Sequence, residues 1–151
     1  MAELRRIGDT TDMLGEGPVW CPLEQALYWV DISRPAVRRW SASSSETTTW
    51  EMPEPVGSLA VCMSGGILVA LRSALSVFDP TTGAIEAVAP PHGESDMRFN
   101  DGKCDRQGRF WVGTMAMGER GPRGRLYRLD ATAGYDSVLE GIDIPNPDYA
   151  P

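Results

Sequence analysis

The sequence predicts an all-β fold assembled from repeated four-stranded units, and three observations carry that expectation. Glycine and proline are in excess, with 16 Gly and 12 Pro among 151 residues, against a combined ~12% in average proteins. They punctuate turns between short, β-prone apolar runs. Hydrophobic residues make up 42% of the chain and Trp occurs 5 times, which suits a packed domain rather than a disordered linker. Cys21, Cys62 and Cys104 stand 41 and 42 residues apart, and aligning the chain on them brings whole segments into register.

The first unit opens with Glu16 to Ile32, EGPVWCPLEQALYWVDI, a short strand, a turn, then the β-prone run Leu27-Tyr28-Trp29-Val30. Ala36 to Trp40 and Thr47 to Glu51 supply two further strands. The second unit opens with Gly57 to Leu71, GSLAVCMSGGILVAL. It continues with Leu75 to Asp79 and Ala84 to Val88, joined by the hairpin signal Asp79-Pro80-Thr81-Thr82-Gly83. The third opens with Phe99 to Met115, FNDGKCDRQGRFWVGTM, and continues with Arg125 to Asp130 and Tyr135 to Leu139. No helical periodicity of useful length interrupts the series. A unit of about 42 residues and four strands is the pattern of a β-propeller blade. One blade cannot bury both its faces, so blades stack radially around a channel. The whole of 1–151 reads as one partial domain, with blades at about 12–55, 56–97 and 98–142 and the start of a fourth at 143–151. The rival is an ordinary β-sandwich with accidental internal similarity, and the three-fold register of whole segments weighs against it.

Charge and composition narrow the function classes. The chain has 14 basic and 21 acidic residues, a net charge of −7, and no Lys/Arg run, so no nucleic-acid footprint is visible. The densest basic stretch, Arg120 to Arg128, reads as a solvated loop and strand face. No window approaches the ~18 consecutive apolar residues of a membrane span, and Met1 to Thr11 lacks a signal peptide's apolar core. Three cysteines without a C-x-x-C disfavour a disulfide framework or zinc ribbon and fit a reducing cytoplasm. One Cys per repeat at an equivalent position reads as a small buried hydrophobe near a strand end, with no basic partner spaced to activate it. The single His92 leaves no His-rich metal site.

In a propeller the first strand of each blade lines the channel, so polar residues opening those strands converge. Here they are Glu16, the pair Asn100-Asp101, and Asn146, which would open a fourth blade. A carboxylate and side-chain amides around a channel suit a hard divalent cation, Ca²⁺, Mg²⁺ or Mn²⁺. Gly-Glu-Gly and Asn-Asp-Gly read equally as tight turns, and spacing alone leaves both open.

The stretch Leu14-Gly15-Glu16-Gly17-Pro18-Val19-Trp20, followed by Leu27-Tyr28-Trp29-Val30-Asp31-Ile32, resembles the opening of the regucalcin (senescence marker protein)/gluconolactonase family. Arg98-Phe99-Asn100-Asp101-Gly102-Lys103, with Asp105, Gly108-Arg109-Phe110-Trp111 and Gly113-Thr114-Met115, is similar to that family's central signature. Gly124-Arg125-Leu126-Tyr127-Arg128-Leu129-Asp130 and Gly141-Ile142-Asp143-Ile144-Pro145-Asn146 continue it in order. The resemblance covers residues 12 to 146 and implies a six-bladed propeller of metal-dependent lactonases with one divalent ion (Ca, Zn, Mn or Mg) in the channel. By resemblance, Glu16 and Asn146 match two ligands of that ion. Asn100 matches the amide that contacts substrate beside it, and Arg98 the guanidinium that holds a sugar lactone. Glu119 matches, more loosely, a substrate-contacting acid in a loop of variable length. Asp101 is expected to close the turn at Gly102.

The implied chemistry is hydrolysis of a sugar lactone, with the ion polarising the ring carbonyl and acidifying a water. A carboxylate removes that water's proton. After Asn146 the family pattern would read Gly-Leu-x-Trp, whereas here Pro147-Asp148-Tyr149-Ala150-Pro151 follows. The family's third metal ligand, an Asp that also serves as general base, is expected to fall beyond this chain, so the resemblance leaves its activity open. Three readings follow: a fragment of a lactonase, a half propeller that self-associates through open sheet edges into a closed ring, or a non-catalytic calcium-binding or scaffolding relative.

Overall fold

The computed structural model describes residues 3–89, 93–118, 121–130 and 134–144. Among these residues twelve strands form three four-stranded antiparallel sheets, each a meander of consecutive strands. The first sheet holds β1 (Gly15–Cys21), β2 (Ala26–Asp31), β3 (Ala36–Ser41) and β4 (Thr47–Glu51). The second holds β5 (Val56–Val61), β6 (Ile67–Leu71), β7 (Leu75–Phe78) and β8 (Ile85–Ala89). The third holds β9 (Met97–Cys104), β10 (Phe110–Ala116), β11 (Gly124–Asp130) and β12 (Gly134–Ile142). The first strands β1, β5 and β9 adjoin one another across the sheets, as the inner strands of propeller blades do. No helix of the described residues is long and apolar enough to cross a membrane.

Burial follows from that stacking. In β2 the side chains alternate: Ala26, Tyr28 and Val30 are buried toward the second sheet while Leu27 and Trp29 are half-buried on the other face. In the middle sheet β6 (ILVAL) is buried throughout, the continuous apolar run expected of a strand covered on both faces. Ile67 and Val69 join the cluster with Tyr28, Val30 and Val37. Leu68 and Ala70 join the opposite one with Phe99, Phe110, Val112 and Tyr127. Aromatic edges close both layers, Trp50 on Phe78 at 5.8 Å and Tyr127 stacked on Tyr135 at 4.6 Å. At the hairpin between β7 and β8, Asp79 Oδ1 accepts the Thr81 N–H at 2.8 Å and Oδ2 the Thr82 hydroxyl at 2.8 Å. Such Asx geometry is why that dipeptide-rich signal was readable.

The arginines of β11 and its approach are paired rather than simply solvated. Arg123 bridges Asp96 and Glu94 at 2.6 Å each. Arg125 Nε lies 3.3 Å from Glu140, and Arg128 reaches Asp130 at 3.1 Å and Asp136 at 3.7 Å. Arg120 lies outside the described residues.

A buried carboxylate ties the chain's entry to the first sheet. Asp31 is fully buried and accepts the N–H of Met13 at 3.0 Å, Leu14 at 3.2 Å and Arg34 at 3.1 Å. Next to it, Asp12 accepts Trp29 Nε1 at 2.7 Å and Arg38 Nε at 2.5 Å. Burial by itself raises the Asp31 pKa, but the Arg34, Met13 and Leu14 N–H groups and the Arg38 guanidinium outweigh it and hold the carboxyl below its usual range. A depressed folded-state value stabilises the fold above the unfolded pKa of ~3.9. That contribution is lost as pH falls through the folded value. The thermal midpoint is therefore expected to fall as pH drops below about 4. Asp31→Asn is expected to cost about 1–3 kcal/mol at neutral pH and to shrink that acid-side fall, both read by melts between neutral and strongly acidic pH.

Candidate functional site

The three inner strands wall one concave pocket of about 860 Å³, with Glu16 to Cys21 on one side, Leu59 to Cys62 in the middle and Asp101 to Cys104 opposite. Each inner strand carries an irregularity at a similar height. The register of β1 against β2 slips between Glu16 and Val19. That of β5 against β6 slips between Val56 and Ser58. In β9, Phe99 and Gly102 pair with Thr114 and Val112, leaving one extra residue at Asn100-Asp101. A bulge inserts one residue, bends the strand and re-aims its side chains. Gly-Glu-Gly and Asn-Asp-Gly are thus neither turns nor regular strand; they are bulges in channel-facing strands. Gly17 takes φ +57 there, a conformation that glycine adopts without cost.

The candidate residues fall as follows. Glu16 is exposed on the pocket wall. Asp101 is half-buried on the facing strand, where its Oδ1 accepts the N–H of Gly102 at 2.9 Å; the bond lies within the β9 bulge and not at a turn. Asn100 precedes it in the same bulge, and its carbonyl accepts the Ser58 hydroxyl at 2.9 Å. Arg98 is half-buried at the start of β9, with Nη1 donating to the Phe99 carbonyl at 3.0 Å. Burial lowers its pKa somewhat, but a guanidinium stays charged at neutral pH. Glu119 and Asn146 lie outside the described residues.

Carboxylate oxygens on this wall are hard donors, the kind that Ca²⁺, Mg²⁺ and Mn²⁺ take. Glu16 offers such an oxygen at the open pocket, which fits one ligand of a divalent ion. Among the described residues no group of three or more His, Cys, Asp or Glu side chains is gathered to hold a metal. The cysteines depart from expectation: Cys21 is buried, Cys62 half-buried and Cys104 exposed. All three border the pocket, so their exposure follows the openness of the wall rather than their common strand position. Burial pushes the Cys62 thiol pKa up, away from the thiolate that reacts.

Sequence reasoning missed Gly57 and Ser58, which sit at the β5 irregularity between the β1 and β9 bulges. A Cβ on Gly57 would lie 2.5 Å from the Asn100 carbonyl oxygen, and Ser58 is fully buried. The available signal was a glycine inside a strand, which marks a bulge or a close backbone approach.

Comparison with known proteins places this geometry. The family described as SMP-30/Gluconolactonase/LRE-like region matches residues 14–147. An L-arabinolactonase of Azospirillum brasilense is 38% identical over 142 residues, spanning 92% of this chain and 46% of that protein. A 6-deoxy-6-sulfogluconolactonase of Pseudomonas putida is 39% identical over 145 residues, 91% of this chain and 50% of that one. The solved structure of a regucalcin from Agrobacterium tumefaciens, described as a calcium-binding protein, superposes with a TM-score of 0.81 at 25% identity, covering 88% of this chain and 45% of its own. The chain thus spans about half the length of the relatives it matches. With four-stranded sheets stacked through their inner strands, and a family match over nearly its whole length, the chain belongs to the SMP-30/gluconolactonase/LRE-like family.

Proposed function

We propose that the chain carries part of the channel of a divalent-metal-dependent hydrolase of sugar lactones. The observation that supports it is that Glu16 and Asp101, which shares the β9 bulge with Asn100, line one pocket from facing strands, in a chain similar to two sugar lactonases. Glu16 and Asn146 are the residues that would hold the ion, which when bound supplies polarisation of the lactone carbonyl and an acidified water. Asn100 contacts the substrate by its amide, and Arg98 holds a polyhydroxylated ring through charge-assisted hydrogen bonds. Glu119 adds a further acceptor for the sugar. Lactones are neutral, so the net charge of −7 does not oppose them, and an acidic channel favours a cation.

The test is hydrolysis of D-glucono-1,5-lactone by the purified chain after chelation and after adding Ca²⁺, Zn²⁺, Mn²⁺ or Mg²⁺. Activity restored by at least one ion supports the reading. Absence of hydrolysis with all four, together with calorimetric binding of Ca²⁺, favours a non-catalytic calcium-binding relative, the reading suggested by the calcium-binding regucalcin. A third reading has two copies closing a ring through exposed edges such as β12, where Leu139 is 54% exposed. Sedimentation at micromolar concentration is expected to give twice the monomer mass in that case, and a monomer rules it out.

A further inference from the structure

Three inner strands meet at one residue that the proposed chemistry does not use. Ser58 lies on β5 between the other two, fully buried, with its Cα 4.0 Å from where a Cβ on Gly17 would stand. Its hydroxyl donates to the Asn100 carbonyl at 2.9 Å. A Cβ on Gly102 would come within 2.6 Å of the same hydroxyl oxygen. So the Ser58 side chain fills the space beside the β9 bulge that holds Asn100, while its Cα stands near the β1 bulge next to Glu16.

The bond has a specific structural reason. A bulge leaves its extra residue out of the regular ladder, so its backbone groups find partners off the ladder. In β9 the extra position falls at Asn100-Asp101, and the Asn100 carbonyl accepts the Ser58 hydroxyl at 2.9 Å. Pinning that carbonyl fixes the peptide plane from which the Asn100 side chain departs. Gly57, next to Ser58, lets the two backbones come close enough for the bond.

We infer that Ser58 is a positioning residue of the channel site, acting through the Asn100 carbonyl to set the direction of the Asn100 amide. The inference deepens the lactonase reading, on which it rests for the ligand, but it has a readout that needs no activity. In the ¹⁵N-labelled chain, Ser58→Ala is expected to move the backbone and side-chain amide signals of Asn100 while the fold, followed by circular dichroism, is kept. Ser76→Ala removes another buried hydroxyl of the same sheet, at 3% exposure on β7, and is expected to leave the Asn100 signals in place. Asn100 signals unmoved in Ser58→Ala, or moved equally in both variants, overturn the inference.

In the lactone assay Ser58→Ala is expected to lower kcat/KM about tenfold with Asn100 present, and to add nothing in the Asn100→Ala background. Equal losses in both backgrounds would show that Ser58 acts on stability alone and would overturn the inference. Where the parent chain is inactive with every ion, the amide signals decide the role of Ser58 by themselves.

Discussion

Glu16→Gln is expected to lower metal-dependent lactone hydrolysis about 100-fold or more, with no measurable change in thermal stability. Glutamine keeps the length of the side chain and one carbonyl oxygen, but it loses the charge that holds a hard cation. Glu16 is exposed on the pocket wall, and exposed substitutions away from special features stay within ~0.5 kcal/mol. Loss of activity and loss of fold therefore separate cleanly at this position. Calorimetry of the added ion supplies a second reading, in which the variant's affinity falls with its rate. A variant as active as the parent would remove Glu16 from the ion's ligands.

Gly57→Ala is expected to lower stability by ~1–3 kcal/mol. The added Cβ would lie 2.5 Å from the Asn100 oxygen, 2.7 Å from the Phe99 oxygen and 3.0 Å from the Asn100 carbonyl carbon. All three are backbone atoms, so no rotamer change relieves the overlap, and β5 and β9 must move apart. Overpacking a well-packed interior costs ~1–3 kcal/mol and occasionally more. The upper end, ~3 kcal/mol, corresponds to a fall of about 6–12 °C in the midpoint for a chain of this size. Gly65 is the contrast, since a Cβ there meets nothing within 4 Å and only its φ of 93° opposes a side chain. A fall of less than 2 °C in Gly57→Ala would show that the strands are not held in close contact.

The fold was legible because strands and turns are written locally. The run Leu27-Tyr28-Trp29-Val30 and the turn Asp79 to Gly83 each announce their structure within a few residues. The repeat then supplied what no single strand could, the number of strands in a sheet. The bulges were less legible, because a bulge is a mismatch between two strands and is decided by the partner as much as by the bulged segment. Asn100-Asp101-Gly102 reads as a turn until Thr114 and Val112 are known to lie opposite Phe99 and Gly102. The pairing of Arg123 with Glu94 and Asp96 joins residues 29 and 27 positions apart, beyond the reach of local charge patterning. Cysteine burial failed for a related reason: equivalent places in three strands open onto one pocket whose walls are unequal.

The meander order of each sheet bears on how the molecule forms and comes apart. Every ladder joins strands that are neighbours in sequence, so no sheet waits on residues from another to complete its own hydrogen bonds. Such local pairing lets each sheet close its own ladders and favours assembly in the order of synthesis, the N-terminal sheet first. What each sheet lacks until its neighbour arrives is cover for an apolar face. The middle sheet, apolar on both sides, depends on two neighbours, whereas the flanking sheets depend on one. Amide hydrogen exchange is expected to resolve this as graded protection, slowest in β6 and fastest in the outer strands β4, β8 and β12.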